Sequence, residues 1–305
     1  MPLRASLQHD VSLSLGANSY GKAGIRLAVV RRDAERHTFT DLDIAVRFAG
    51  DFEAAHVDGD NSALLPTDTM RATCYALAQG SDVSDTTAFA LALCQRFLQA
   101  APAADLVEVE IEQQPWERIV ADGLETPHAF RQGAGARRVT TVSCRRNADP
   151  VVTAGLRGLR LLKTAGSAFS GFLRDEHTTL EETRDRILAT TLEARWGYDD
   201  GEVDHPLLLD VVEDTLVSTF ARHESESVQH TLHELGSAVI SSFVEVAWIR
   251  LRMPNEHHIA ADLSAQGLDN DGEVFVVTRE PFGVIEATVE REGWPAPEDR
   301  TSSLW

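Results

Sequence analysis

Two pairs of histidines are the first residues whose type and spacing could do chemistry. His230 and His233 stand at i, i+3 in "SVQHTLHELG", and His257 and His258 are adjacent in "MPNEHHIAADLS". On a helix the first spacing can present two imidazoles to one metal ion, but such a site needs a third ligand and groups that orient the ligands. A surface or hydrogen-bonded role is the alternative for His230 and His233. Asn255, Glu256, His257 and His258 follow Pro254, the expected end of a strand, and polar groups crowded where a chain turns are a common origin of sites. Thr67-Asp68-Thr69 reads as a helix N-cap, and free N–H groups at such a terminus can also hold an anionic or carbonyl ligand. Lys22 lies just after Tyr20-Gly21, where a first strand begins. In "SAFSGFLRDEHTTLEETRDRIL" Phe169 and Phe172 precede a charged run, and Thr179 with Glu182 has the capping-box pattern, which predicts a helix carrying Arg186 about two turns in.

Other chemistries lack their motifs. There is no GxxxxGK[ST] loop, no strand-borne GxGxxG, no GxSxG elbow and no HExxH, and "GAGARR" has the wrong context. A phosphate cofactor is not indicated. Cys74, Cys94 and Cys144 are odd in number and outside any CxxC spacing, which suits reduced thiols. A net charge of −20 argues against a nucleic-acid or anionic-membrane surface, since both need clustered Lys and Arg. No apolar run approaches the ~18 residues of a membrane helix. The first residues show no secretory leader and "TSSLW" is not an SKL-type address, so a cytoplasmic location is expected.

The elements that must position these residues follow from periodicity. Ile25, Leu27 and Val29 alternate with polar or small residues, as do Leu42, Ile44, Val46 and Phe48, which predicts two half-buried strands joined as a hairpin. "TDTMRATCYALAQ" and "SDTTAFALALCQRFLQAA" then change to helical period. Strands resume at Val107, Val109 and Ile111 and around "RRVTTVSCRR". The order β-β-α-α-β-β recurs in the second half: "VVTAGLRGLRLLKT" and "LEARWGYDDGEVD" as strands, a helix from Pro206, a second at "SVQHTLHELGSAVISSF", a strand through Ile249, Leu251 and Met253, and a last one from Val274 into "VIEATVER". At 305 residues the chain suits two cores. An α+β chain of two modules, 1–148 and 149–305, each with an antiparallel sheet, is therefore expected.

"YGKAGIRL", "DNSALLPTDTMRATCYALA", "LKTAGSAFSGFLRDEHTTLEETRDRILATTLEARWGY", "SVQHTLHELG", "MPNEHHIAADLS" and "GLDNDGEVFVVTREPFGVIEATV" together resemble the urate oxidase (uricase) family, in order and spacing, over nearly the whole chain. The resemblance implies two tandem tunnelling-fold (T-fold) modules, a homotetramer around a β-barrel tunnel, and cofactor-free oxidation of urate by O2 and water to 5-hydroxyisourate and hydrogen peroxide. By the same resemblance Phe169 stacks on the purine, Arg186 and the Val228-Gln229 pair clamp one edge, and Thr67 and Asp68 of a neighbouring subunit meet the other edge. Asn255 holds dioxygen or water over the ring, and Lys22, Thr67 and His257 form a proton relay. The chain departs from the family pattern at three places. Pro66 precedes Thr67 where a small or β-branched residue is common, Glu256 replaces a usual Lys, and His177 a usual Tyr. Pro66 makes Thr67 the least secure transfer, and Glu256 would weaken anion binding if it pointed inward.

Overall fold

The computed structural model describes residues 13–32, 34–199, 203–294 and 296. The terminal stretches on which the leader and address readings rest, residues 1–12 and 301–305, lie outside the described residues, as do residues 200–202 of "DDGEVD". Among the described residues no helix is long and apolar enough to cross a membrane.

Ten strands are present in the described residues: β1 (Tyr20–Arg31), β2 (Thr38–Gly50), β3 (Ala104–Gln113), β4 (Trp116–Ala121), β5 (Leu124–Gln132), β6 (Arg137–Arg145), β7 (Val151–Lys163), β8 (Leu188–Tyr198), β9 (Val246–Ala260) and β10 (Phe275–Glu290). Eight of them make one antiparallel sheet in the order β1-β2-β3-β6-β7-β8-β9-β10, and β4 and β5 form a separate hairpin. The helices are α1 (Glu53–Val57), α2 (Thr67–Ala78), α3 (Thr86–Ala100), α4 (His205–Arg222) and α5 (Val228–Ser242). The β-β-α-α-β-β order therefore appears twice. The short α1 and the β4–β5 hairpin are additions the periodicity did not reveal. The hairpin did leave a signal: Asp122 and Gly123 both have positive φ, 53° and 79°, as an Asp-Gly turn of the mirror-image type requires.

Alternation fixes which face of the sheet the helices cover. Leu42, Ile44, Val46 and Phe48 are buried with Val107, Val109 and Ile111, and Met70, Cys74, Phe89, Leu93 and Phe97 pack over them. In the second half Leu192, Ala194, Trp196, Ile249, Leu251 and Met253 meet Leu216, Phe220, Leu232, Leu235 and Val239. Each such Leu, Ile or Phe contributes roughly 1.5–3 kcal/mol when taken out of water. The intervening residues project from the opposite face and are charged. Arg47 pairs with Glu108 at 2.9 Å, Arg157 with Glu110 at 3.0 Å, and Arg252 with Glu193 at 3.4 Å. Helix starts are capped where the sequence offers Asp or Ser: Asp85 accepts from the N–H of Ala88, Asp204 from that of Leu207, and Ser227 from that of His230.

Three local expectations are corrected. Thr67 is the first residue of α2 and not its cap; Pro66 occupies the N-cap with φ −56°, ψ 139°, and contributes its carbonyl. The helix expected from the Thr179/Glu182 pattern does not form, and the chain from Thr164 to Ile187 is irregular. The apolar residues ahead of it and within it, Leu173 and Leu180, are 95% and 52% exposed, so no apolar stripe exists to hold a helix down. Asp175 and Thr178 instead bond each other and the local backbone, closing a turn. Finally, Pro254 does not end its strand. β9 runs to Ala260, so Asn255 to His258 lie within it and not in a turn. Pairing with β8 is recorded at Arg252 and at Glu256 but not between them, which is where a residue without an N–H can sit.

Candidate active site

The expected site residues fall into two groups at opposite ends of the sheet. The first group is carried by β1 and the start of α2. β1 contains a bulge: Tyr20 and Lys22 pair with Phe48 and Val46, but from Ile25 the register shifts by one. Gly24 in the bulge has φ +68°, a left-handed conformation that glycine adopts without strain. The shift matters because side chains alternate. After the bulge odd-numbered Ile25 and Leu27 face the helices; before it even-numbered Tyr20 and Lys22 do. Lys22 thereby reaches the N-terminus of α2, its Nζ 3.5 Å from Oδ1 of Asp68. A cavity of about 310 Å³ reaches Tyr20, Lys22 and Val46 but is also lined by Arg47, Glu108 and Glu110 of the charged face.

Tyr20 sets where that terminus sits. Its hydroxyl accepts from the N–H of Leu65 at 2.9 Å and lies 3.4 Å from the Leu65 carbonyl, while its ring meets Phe48 and Phe52 edge-on. Burial raises its pKa above the ordinary tyrosine value. One residue later the Pro66 carbonyl accepts from the N–H groups of Thr69 and Met70 at 2.9 and 3.2 Å. The N–H groups of Thr67 and Asp68, first and second in the helix, have no helix carbonyl behind them. The restraint that Pro66 imposes is thus matched to a helix start, with Thr67 half-buried beside Lys22's partner Asp68.

The second group gathers around Ser167, which is 1% exposed. The N–H of Arg186 donates to the Ser167 carbonyl at 2.8 Å, the Ala168 N–H to the Ser225 carbonyl at 2.6 Å, and the Ser225 N–H to the Gly166 carbonyl at 3.0 Å. Phe169 and Thr183 exchange both backbone bonds, at 2.8 and 3.0 Å. Phe169, Arg186 and the start of α5, Val228-Gln229, are therefore joined by an antiparallel bridge and a parallel one rather than by a helix. The Arg186 guanidinium carbon lies 5.2 Å from the centre of the Phe169 ring, and Phe172 stacks on Phe169 at 4.9 Å and 14°. Arg186 Nε is buried and has no hydrogen-bond partner among the described residues, and burial lowers the guanidinium pKa from its ordinary value. Val228 is buried and Gln229 exposed.

Asn255 and His257 are half-buried on β9, opposite Gly283 and Thr278 of β10. Glu256 points to the other face, where it pairs with Arg160 at 3.1 Å and accepts from the Thr191 hydroxyl at 2.6 Å. Its charge is engaged there, which answers the expected conflict with an anion. His177 is exposed. His230 meets His223 edge-on at 4.7 Å, and among the described residues no three His, Cys, Asp or Glu side chains gather as a metal site.

Within one chain the two groups are not brought together. β1 and β9 are six strand spacings apart in the sheet order, roughly 29 Å along the sheet at the usual separation. Gly24, Ser167 and Ser225 are residues that sequence reasoning missed, and Tyr20 and Phe172 were noted there without a role; "YGKAG" carried a signal, because a glycine inside an alternating strand, here Gly24 two residues after the lysine, marks a bulge.

The uricase family model matches residues 18–143 and 152–286. The chain belongs to the uricase family. It is 39% identical over 293 residues to the uricase of Arthrobacter globiformis, covering 96% of this chain and 95% of that protein, and 35% identical over 277 residues to the uricase of Dictyostelium discoideum, covering 90% and 96%. The crystal structure of the Arthrobacter globiformis uricase superposes with a TM-score of 0.88 over 94% of this chain and 98% of that one. A uricase structure from Bacillus fastidious, 23% identical with a TM-score of 0.76 over 91% and 94% of the two chains, shares the fold. The chain is thus an α+β protein built from two uricase repeats of the T-fold.

Proposed function

We propose that this chain is an active, cofactor-independent urate oxidase, converting urate, O2 and water to 5-hydroxyisourate and hydrogen peroxide, the first step of urate degradation towards allantoin. The observation that carries the site assignment is the junction at Ser167, which joins Phe169, Arg186 and the start of α5 through backbone bonds. An aromatic face beside a desolvated guanidinium fits a flat anion with carbonyl edges.

In this reading Phe169 covers one face of urate, and Arg186 with Gln229 and the Val228 backbone holds one edge. Gln supplies both a donor and an acceptor, while the Arg fork stays charged. Thr67 and Asp68 meet the other edge through N–H groups at the start of α2. Asn255 holds dioxygen or water above the ring. Lys22 takes a proton, Thr67 passes it, and His257 tunes or accepts it. Urate itself is the reductant: two electrons and two protons leave it for O2, and water adds a hydroxyl to the ring.

Because the two groups lie at opposite ends of the sheet, each site takes Lys22, Thr67 and Asp68 from one subunit and the remaining residues from another. Among the described residues β1 and β10 end the sheet with unpaired edges, and pairing such edges between copies removes them. In this reading the modules 1–148 and 149–305 close a barrel through that pairing; the homotetramer rests on the resemblance to the family, and the cytoplasmic location on the sequence expectation. The test is loss of urate absorbance with matching O2 uptake and peroxide release in EDTA; purified tetramer without turnover sinks the proposal.

A further inference from the structure

Asn255 and His257 are paired with β10 but have no recorded partner in β8. Towards β8, pairing is recorded at Glu256 and Arg252 but not at the three residues between. Towards β10, Thr278 pairs with His257 and Gly283 with Asn255, so residues 279–282 bulge out opposite the single residue Glu256. Only the ladder towards β10 changes register here, while towards β8 the register is the same on both sides of the gap, so this part of β9 is tied by alternate residues: Asn255 and His257 towards β10, Glu256 towards β8. Backbone held by fewer bonds shifts more readily.

Side-chain ties stand in this gap. The Glu256 carboxylate accepts from the Thr191 hydroxyl at 2.6 Å through Oε1 and from Arg160 at 3.1 Å through Oε2. Thr191 belongs to β8 and Arg160 to β7, so one residue links three strands across the face away from Asn255 and His257. Glu256 is 9% exposed, and a hydrogen bond to a charged acceptor contributes more than a neutral one. We infer that Glu256, with Thr191 and Arg160, is a positioning residue that fixes the height of Asn255 and His257 over the substrate. The inference rests on the proposed roles of those two residues. A lysine in its place would present Thr191 and Arg160 with a third donor, so this network is specific to the glutamate.

The experiment compares Glu256→Ala, Thr191→Val and Thr191→Ser with the parent tetramer in two readouts. One is the split between kcat and the KM values for urate and O2; the other is hydrogen exchange of the peptide covering residues 250–260. Displacing a reacting group by about 1 Å costs roughly 100-fold in rate. Glu256→Ala should lower kcat by roughly 10- to 100-fold on that scale, with little change in urate KM, and speed exchange in that peptide alone. Thr191→Val should act in the same direction more weakly, and Thr191→Ser should restore the parent. Unchanged kcat and exchange in Glu256→Ala overturns the inference. So does a uniform rise in exchange over the whole sheet, which would make Glu256 merely a core stabiliser. A parent tetramer without urate turnover would refute the functional reading, while the exchange data would still decide whether Glu256 holds the strand.

Discussion

Substitution of Gly24 tests whether the β1 bulge aims Lys22. Among the described residues no atom lies within 4 Å of a Cβ built at Gly24, so the expected effect is conformational rather than a clash. At φ +68° an L side chain costs about 1–2 kcal/mol, while Asn tolerates the conformation. The competing arrangement is a regular strand that keeps the Ile25–Ile44 register through Lys22 and turns the lysine to the opposite face. A penalty of that size changes the ratio of the two arrangements by roughly 5- to 30-fold. Urate turnover should fall in the order Gly, Asn, Ala, Val, with a β-branched residue worst, and thermal unfolding should drop by roughly 2–4 °C per kcal/mol. The assay is initial rate at saturating urate together with the unfolding midpoint. A Val variant with the parent's kcat would refute the argument, because it would show that Lys22 keeps its direction without the left-handed residue. Gly21→Ala is the control of another kind: its Cβ would stand 2.0 Å from the Val46 carbonyl oxygen, so it should fail to fold properly rather than merely lose rate.

Arg186→Ala should abolish urate binding, measured by equilibrium binding of a purine analogue, and Arg186→Lys should recover little, since a point charge cannot replace a planar fork. Tyr20→Phe keeps the edge-on ring contacts but removes the bond to the Leu65 N–H, and should cost about 1–3 kcal/mol if that donor is left unsatisfied, read by chemical unfolding. His205 gives a pH prediction. Burial against the Tyr198 ring lowers its pKa, so it is neutral in the folded state below the pH at which the unfolded histidine protonates. Its contribution is complete above the unfolded value of about 6.5 and is lost as pH falls through the lower folded value. His205→Phe should flatten the unfolding midpoint between pH 7 and pH 5; an unchanged slope would assign the acid sensitivity to other groups.

What was legible in the sequence is what repeats. Strands such as Leu42 to Phe48 and Ile249 to Met253 announce themselves because one face must be buried at every second residue, and α3 because Phe89, Leu93 and Phe97 share one side. The site was less legible because its geometry depends on departures from repetition. The loop carrying Phe169 is held by backbone bonds to Thr183 and Ser225, which are distant in sequence and leave no local pattern. The Thr179/Glu182 pattern misled because a capping box starts a helix only where an apolar stripe follows. Pro254 misled likewise: β9 keeps one register with β8 on both sides of it and pairs with β10 at Val284, so the missing N–H does not end the strand.

The division of the site between opposite ends of the sheet has a consequence that separates the proposed assembly from any single-chain site. Lys22→Ala and Arg186→Ala each remove one half of the constellation, so tetramers of either variant alone should be inactive. Coexpressed in equal amounts, the two chains mix in one oligomer. A site that takes Lys22 from one subunit and Arg186 from another then finds both intact when the first is an Arg186→Ala chain and the second a Lys22→Ala chain, which random mixing gives in about one quarter of sites. A site built within one chain gains nothing, because every chain carries one defect. Recovery of roughly 25% of the parental rate per site on this statistical argument is therefore expected, and its absence in verified mixed tetramers would rule out the shared site while leaving the family and fold untouched.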